Sequence, residues 1–311
     1  MTAFFQGIHV LAVALIAGAF LFALAMPPPA GTEAAKTANI MPKVECAVGR
    51  LAAYGLAAAM VTALLWLWAV ASGMSGLGLA DPALIPAAAR VVTDTSFGQL
   101  WLWRLAGAIG LALLLAGPAR RIGGRAGLAL ASLLALGLLA SIAGMGHAAT
   151  APDRALEIAV QAAHLVAAGV WFGGLTALCI ALKLAGDVPD SAGFGVWATK
   201  RVGAMAFLAV AVIAASGAIC AVFRVAEPAA VLTSNYGTLL IVKSVLFAGA
   251  LMFAAINRWR VVPLLTAVSG DARAAQGAQR VLARNVGIET ILVGAILLLA
   301  GWLAVTPPPH G

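Results

Sequence analysis

The sequence predicts an all-α, polytopic membrane protein with eight transmembrane helices, built as two parallel four-helix repeats with both termini outside. Three observations carry this. Of the 311 residues, 63% are hydrophobic and only 10% charged, whereas a soluble fold needs roughly a quarter charged residues to cover its surface. The apolar residues fall in runs of about 20, enough at about 1.5 Å per residue to cross a hydrocarbon layer about 30 Å thick; strands of a membrane barrel would be about 10 residues long and alternating. Finally, one pattern occurs twice: His9 precedes Gly18 by nine residues, and His164 precedes Gly173 by nine.

Taken in order, the predicted spans are 4–26, 46–72, 98–117, 125–145, 156–183, 201–223, 236–257 and 286–305. Met1 to Ile8 contains no basic residue, so the first run lacks the start of a secretory signal peptide and is read as a spanning helix entering from outside. Pro27-Pro28-Pro29 ends it, because proline removes a backbone donor and clashes with the preceding turn. Gly73 to Phe97, with Pro82 and Pro86, is the longest external connection. The polar segment from Trp259 to Asn285, with alanines at helical spacing, predicts a short helix lying on the cytoplasmic surface. Two halves, 1–150 and 151–311, follow from the repeat, and nothing suggests a separate soluble domain.

The net charge of +8 would suit a nucleic-acid partner, but its placement excludes one. Lys36, Lys43 and Arg50, then Arg120, Arg121 and Arg125, then Lys183, Lys200 and Arg201, then Arg258, Arg260, Arg273, Arg280 and Arg284 crowd alternate connections. That is the positive-inside pattern of cytoplasmic loops. The opposite connections hold Arg90, Arg154 and Arg224 among acids such as Asp81, Asp94, Asp153, Glu157 and Glu227. Cys46, Cys179 and Cys220 lie in separate segments without CxxC spacing, so neither a disulfide framework nor a zinc cluster is implied.

The repeat extends beyond the histidines. Phe97-Gly98-Gln99-Leu100, followed by Arg104, corresponds to Tyr236-Gly237-Thr238-Leu239, followed by Lys243; each cation lies six residues after the glycine. The fourth span exits at His147 and the eighth toward His310. Such a duplication relates its halves by an axis along the membrane normal.

Under this topology all four histidines lie on the outer side, His9 and His164 about two turns deep. Imidazole suits copper, zinc, iron or haem, although a membrane histidine also serves simply to hydrogen-bond between helices. Met145 and His147 form an M-x-H pair at the outer mouth, and thioether and thiolate are ligands that Cu(I) prefers. Candidate metal ligands are therefore His9, His164, His147 and Met145, with His310, Met74 and Cys220 as secondary candidates. Met60, Met205 and Met252 lie deeper, as stepping sites or as packing. Arg104 and Lys243 either snorkel to the headgroups or pair with an anion, such as Asp94, Glu157, a lipid phosphate or a haem propionate. Gly169, Gly173 and Gly174 beside Trp171 have the small-residue spacing of close helix packing, and Trp101, Trp103 and Trp302 suit interfacial anchors. The chain has no GxSxG, HExxH, Walker or dinucleotide motif, which disfavours a hydrolase or an ATP-driven pump and predicts a non-enzyme.

These features together resemble the bacterial copper resistance D family (CopD/PcoD type). The most specific part is AAHLVAAGVWFGGL followed by YGTLLIVKSVLFAGALMFAAINRWRVVPLL. It contains a helix-borne His164 before Trp171, Gly173 and Gly174, then Lys243 on a helix ending in Asn257, Arg258 and Pro263; Gly146 to Ala148 is similar to the family's outer-loop pattern. The resemblance implies an inner-membrane protein of copper homeostasis that receives copper from a periplasmic CopC-type protein and moves it across the membrane. No such donor domain is recognisable in these residues, so the donor is expected to be a separate protein. The expectation is thus a copper permease with copper ions and membrane lipids as further partners. The alternative is a b-type haem protein of electron transfer, with His9 and His164 as axial ligands and Arg104 and Lys243 on the propionates.

Overall fold

A computed structural model describes residues 1–26, 39–116, 124–145, 153–186, 188, 191–225 and 229–307. Eight helices among them are long and apolar enough to cross a membrane, and the described residues form no strand. The spanning helices are α1 (Thr2–Ala25), α2 (Met41–Ser75), α4 (Ser96–Ala116), α5 (Gly124–Ala140, ending in a 3₁₀ turn at Ser141–Met145), α6 (Arg154–Gly186), α7 (Ala192–Arg224), α9 (Asn235–Ile256) and α11 (Ala272–Leu303). Short helices α3 (Leu84–Asp94) and α8 (Ala230–Thr233) precede α4 and α9, and α10 (Val262–Ala267) follows α9.

Local chemistry sets the ends. Pro42 occupies the first turn of α2, and Gly76 closes that helix at φ +72° while donating to the Ser72 carbonyl, a conformation that favours glycine. Asp271 caps α11 by accepting from the Arg273 and Ala274 amides. Hydroxyls cap α4 and α9 alike: Thr95 Oγ1 accepts from Gly98 N at 3.0 Å, and Ser234 Oγ from Gly237 N at 3.0 Å. Both glycines press on the short helix before them, where a Cβ would overlap the Val91 and Val231 carbonyls respectively.

Two elements differ from expectation. The connection Gly73 to Phe97 contains α3, whose Leu84, Ala87, Ala88 and Val91 are buried against Leu67, Ala71 and Trp101. Its proline-rich start disguised this amphipathic stretch. The segment Trp259 to Asn285 is not a separate surface helix. Its first part prolongs α9 through a π-helical turn, Asn257–Val261, into α10, and from Ala272 it is already α11. Spanning helices of 32 to 35 residues exceed the roughly 20 that a bilayer needs, so their extra turns carry the basic residues beyond it.

The core is the pair α1 and α6, the two most buried spans. Helix α1 packs on α2, α5, α6 and α11, while α6 packs on α7, α11 and α5. They approach backbone to backbone: Gly18 meets Gly173 and Gly174, and Gly169 faces Ala14. In lipid, where apolar burial gives no preference for helix over tail, such close contact supplies the dispersion that joins helices. The crossing point lies nine residues after each histidine.

Candidate functional site

The glycine crossing places His9 and His164 in different surroundings. His9 on α1 is buried and turned to α2 and α4. Its Nδ1 lies 3.1 Å from the Ala59 carbonyl and 3.1 Å from Thr62 Oγ1, and its Nε2 is 2.6 Å from Arg104 Nη2. Guanidinium offers donors only, so Nε2 accepts and the ring proton sits on Nδ1. The Thr62 hydroxyl spends its own hydrogen on the Ala58 carbonyl at 2.6 Å. Arg104 also donates to the Leu138 carbonyl and to Ser141 Oγ. Trp66 covers the imidazole with ring centroids 5.6 Å apart, and the adjoining cavity, of about 30 Å³, is about one water's share of liquid volume.

The His164 side has the same grammar and a different outcome. His164 Nδ1 is 3.0 Å from Ser216 Oγ, whose hydroxyl donates to the Val212 carbonyl, so Nδ1–H donates to serine. Among the described residues Nε2 then has no hydrogen bond. A cavity of about 410 Å³ opens here between α6, α7, α9 and α11, lined by His164, Cys220, Arg224, Tyr236 and Lys243. Gln161 Oε1 accepts from Arg224 Nη2 at 3.1 Å and from Cys220 Sγ at 3.6 Å. No Asp or Glu is among the described lining residues. Where Arg104 fills the first half's space, Lys243 and Arg224 stand around a space that remains open.

Below this cavity lies a cluster that reading the sequence missed. Trp171 is buried, meets Phe247 edge-to-face with centroids 5.7 Å apart, and donates from Nε1 to Glu289 Oε1 at 3.0 Å. Glu289 is 3% exposed. Beside it, Asn285 Nδ2 donates to Asn257 Oδ1 at 3.1 Å. The available signal was a lone acid inside the last apolar run, which in a membrane helix marks a functional position by default.

The other expected ligands separate from this centre. Met145 packs against the apolar clusters and lines neither cavity. Met74 is exposed near the end of α2, Met60 lines the small cavity beside His9, Met205 belongs to a surface pocket with Trp197 and Lys200, and Met252 is exposed. His147 and His310 lie outside the described residues. Arg104 is buried, and among the described residues its donors go to a histidine, a serine and a carbonyl and to no carboxylate. Among the described residues no three His, Cys, Asp or Glu side chains cluster tightly enough to hold a metal ion. Haem as a resident group does not fit the histidine pair: among the described residues His9 has both ring nitrogens engaged, beside a space far smaller than a porphyrin, and it and His164 line separate cavities.

Residues 1–155 match the family described as copper resistance protein D-like, N-terminal domain, and residues 197–303 match copper resistance protein D. Copper resistance protein D of Pseudomonas syringae pv. tomato is 31% identical over 235 residues, covering 72% of this chain and 73% of that protein. Copper transport protein CutJ of Bacillus subtilis (strain 168) is 34% identical over 122 residues, covering 39% of this chain and 22% of that protein. Inner membrane protein YebZ of Escherichia coli (strain K12) is 29% identical over 203 residues, covering 63% of this chain and 65% of that protein. No solved structure matches the chain. The two family matches lie in the segments that carry His9 with Arg104 and Lys243 with Glu289, and with the Pseudomonas relative they establish that this chain belongs to the copper resistance protein D family.

Proposed function

We propose that the protein is an inner-membrane copper permease whose cavity between α6, α7, α9 and α11 receives copper through His164 Nε2 and Cys220 Sγ. The observation that carries this reading is the contrast between two histidines, one saturated by Arg104 and one whose unclaimed ring nitrogen shares an open cavity with a thiol. Imidazole and thiolate together suit Cu(I). The thiolate also supplies the negative charge that the cavity needs, since Lys243 and Arg224 would repel a bare cation.

The two halves, 1–150 and 151–311, are on this reading a parallel duplication with both termini outside. The matched caps of α4 and α9 and the crossing nine residues after each histidine support it. The histidine-bearing ends then face the periplasm, where a CopC-type protein delivers copper. His9 and Arg104 lock the first half, and the second half works. The protein moves copper rather than transforming a substrate, and in the absence of an ATPase motif the movement follows a gradient or is coupled to one.

Copper accumulation by cells expressing His164→Ala or Cys220→Ser tests the assignment. Each variant should lose the copper-dependent signal of the parent while reaching the membrane in equal amount; parental accumulation in both would remove these residues from the path.

A further inference from the structure

We propose that Glu289 is an intramembrane proton-binding site, divided from the copper-receiving cavity by the Trp171 indole, and that a copper ion in that cavity weakens the hold of Glu289 on its proton. The site stands on geometry alone, whereas its link to copper rests on the permease reading above.

Glu289 lies on α11 fourteen residues before its end at Leu303, about 21 Å along the axis. The groups meeting it are neutral. Trp171 donates to its carboxyl from α6, and Asn257 stands beside it on the π-helical turn. The Asn257 side chain is 5% exposed, and its Nδ2 lacks a partner at hydrogen-bonding geometry. The titratable and charged groups on the surrounding elements point elsewhere. Cys179 of α6 faces Gly287, Lys243 of α9 lines the cavity together with Trp171, Arg258 lies over the Phe207 ring, and the Arg260 side chain is exposed.

A carboxylate in an apolar interior needs a proton or a cation to compensate it. The neighbours choose between them. An indole N–H and an amide NH₂ are donors, which match a carboxyl oxygen and repel a metal ion, and the one amide oxygen placed there by Asn257 already accepts from Asn285. The π-helical turn adds a second sign, because such turns concentrate at functional positions. It is what sets Asn257 against α11 beside the carboxyl.

Trp171 couples this site to the cavity. Its ring lines the cavity and its Nε1 touches the carboxyl. A cation against that ring stands on the order of 10 Å from Glu289, enough to change proton affinity about tenfold at the effective dielectric of a protein interior. When copper arrives, the protonated fraction falls, each released proton passing from the carboxyl oxygen to water and leaving a carboxylate charge that offsets part of the incoming ion's; when copper leaves, the protons return.

Infrared spectra of the purified full chain across pH test the site. The carbonyl stretch of a protonated carboxyl should be present, titrate, and vanish in Glu289→Gln, whose amide still accepts from Trp171. An unchanged acid band in that variant overturns the proposal. Trp171→Phe guards against a misfolded glutamine variant: loss of the N–H donor should shift the band, and an unmoved band again overturns it. The coupling is tested by adding Cu(I) in weakly buffered solution with a pH dye. The parent should release more protons per bound copper than Glu289→Gln, with both binding copper, and equal release overturns the coupling. If the parent binds no copper at all, the permease reading fails, while the infrared band still decides whether Glu289 holds a proton.

Discussion

Replacing Gly18 by alanine adds one methyl group at the point where α1 and α6 cross, with a calculable cost. A Cβ built on Gly18 would lie 2.6 Å from Gly174 N and closer still to Gly173, whereas non-bonded carbon contacts settle at about 3.5–4.0 Å. The helices must therefore part by about 1 Å, a gap that forfeits a quarter to a half of each facing dispersion contact. Overpacking of this kind costs about 1–3 kcal/mol, and the facing atoms are rigid backbone, which puts Gly18→Ala toward the upper end. Gly110 and Gly203 are controls of opposite sign: nothing lies within 4 Å of a Cβ at either position, and alanine in an open helix interior gains up to about 1 kcal/mol over glycine. Thermal unfolding in detergent should show Gly18→Ala and Gly173→Ala melting well below the parent, and Gly110→Ala and Gly203→Ala at or above it. If Gly18→Ala melts with the parent, the close crossing does not exist and the separation of the two histidines loses its basis.

Further predictions concern the two histidine environments. Arg104→Ala leaves His9 Nε2 and Ser141 Oγ without their donor, while the Leu138 carbonyl keeps the Ser141 hydroxyl, and should cost about 3 kcal/mol, read as a fall in Tm, while Cu(I) binding by the folded fraction stays at the parent's affinity. Ser216→Ala removes the acceptor that orients His164; loss of such an orienting partner typically costs about 10–100-fold in metal affinity, and competition with a Cu(I) chelator should show this with Tm nearly unchanged. Gly98→Ala and Gly237→Ala push α4 and α9 off the short helices before them, so both should lower Tm by similar amounts. Unequal effects there would count against the paired architecture.

Part of the candidate cavity's lining was legible in residue order, and what was not has physical causes. Cys220 and Lys243 were marked by chemistry and spacing, and both line the His164 cavity. For Arg104 residue order offered snorkelling or an anion and did not show His9 as its partner, because depth in a run says how near water is and nothing about acceptors on other helices. Glu289 went unread beside Trp171 since its partner lies 118 residues earlier in the chain. The surface-helix reading of Trp259 to Asn285 failed because polar composition marks where a helix leaves the bilayer without showing that it ends there.

By itself the sequence determined the class of molecule, the number of spans and the kinship, since these depend on composition, run length and local spacing, which no fold can alter. Tertiary structure alone decided which histidine is available. Both sit nine residues before the glycine crossing, yet an arginine from α4 closes His9 while His164 faces an open cavity, because interhelical contacts in a bundle join residues that are distant in the chain.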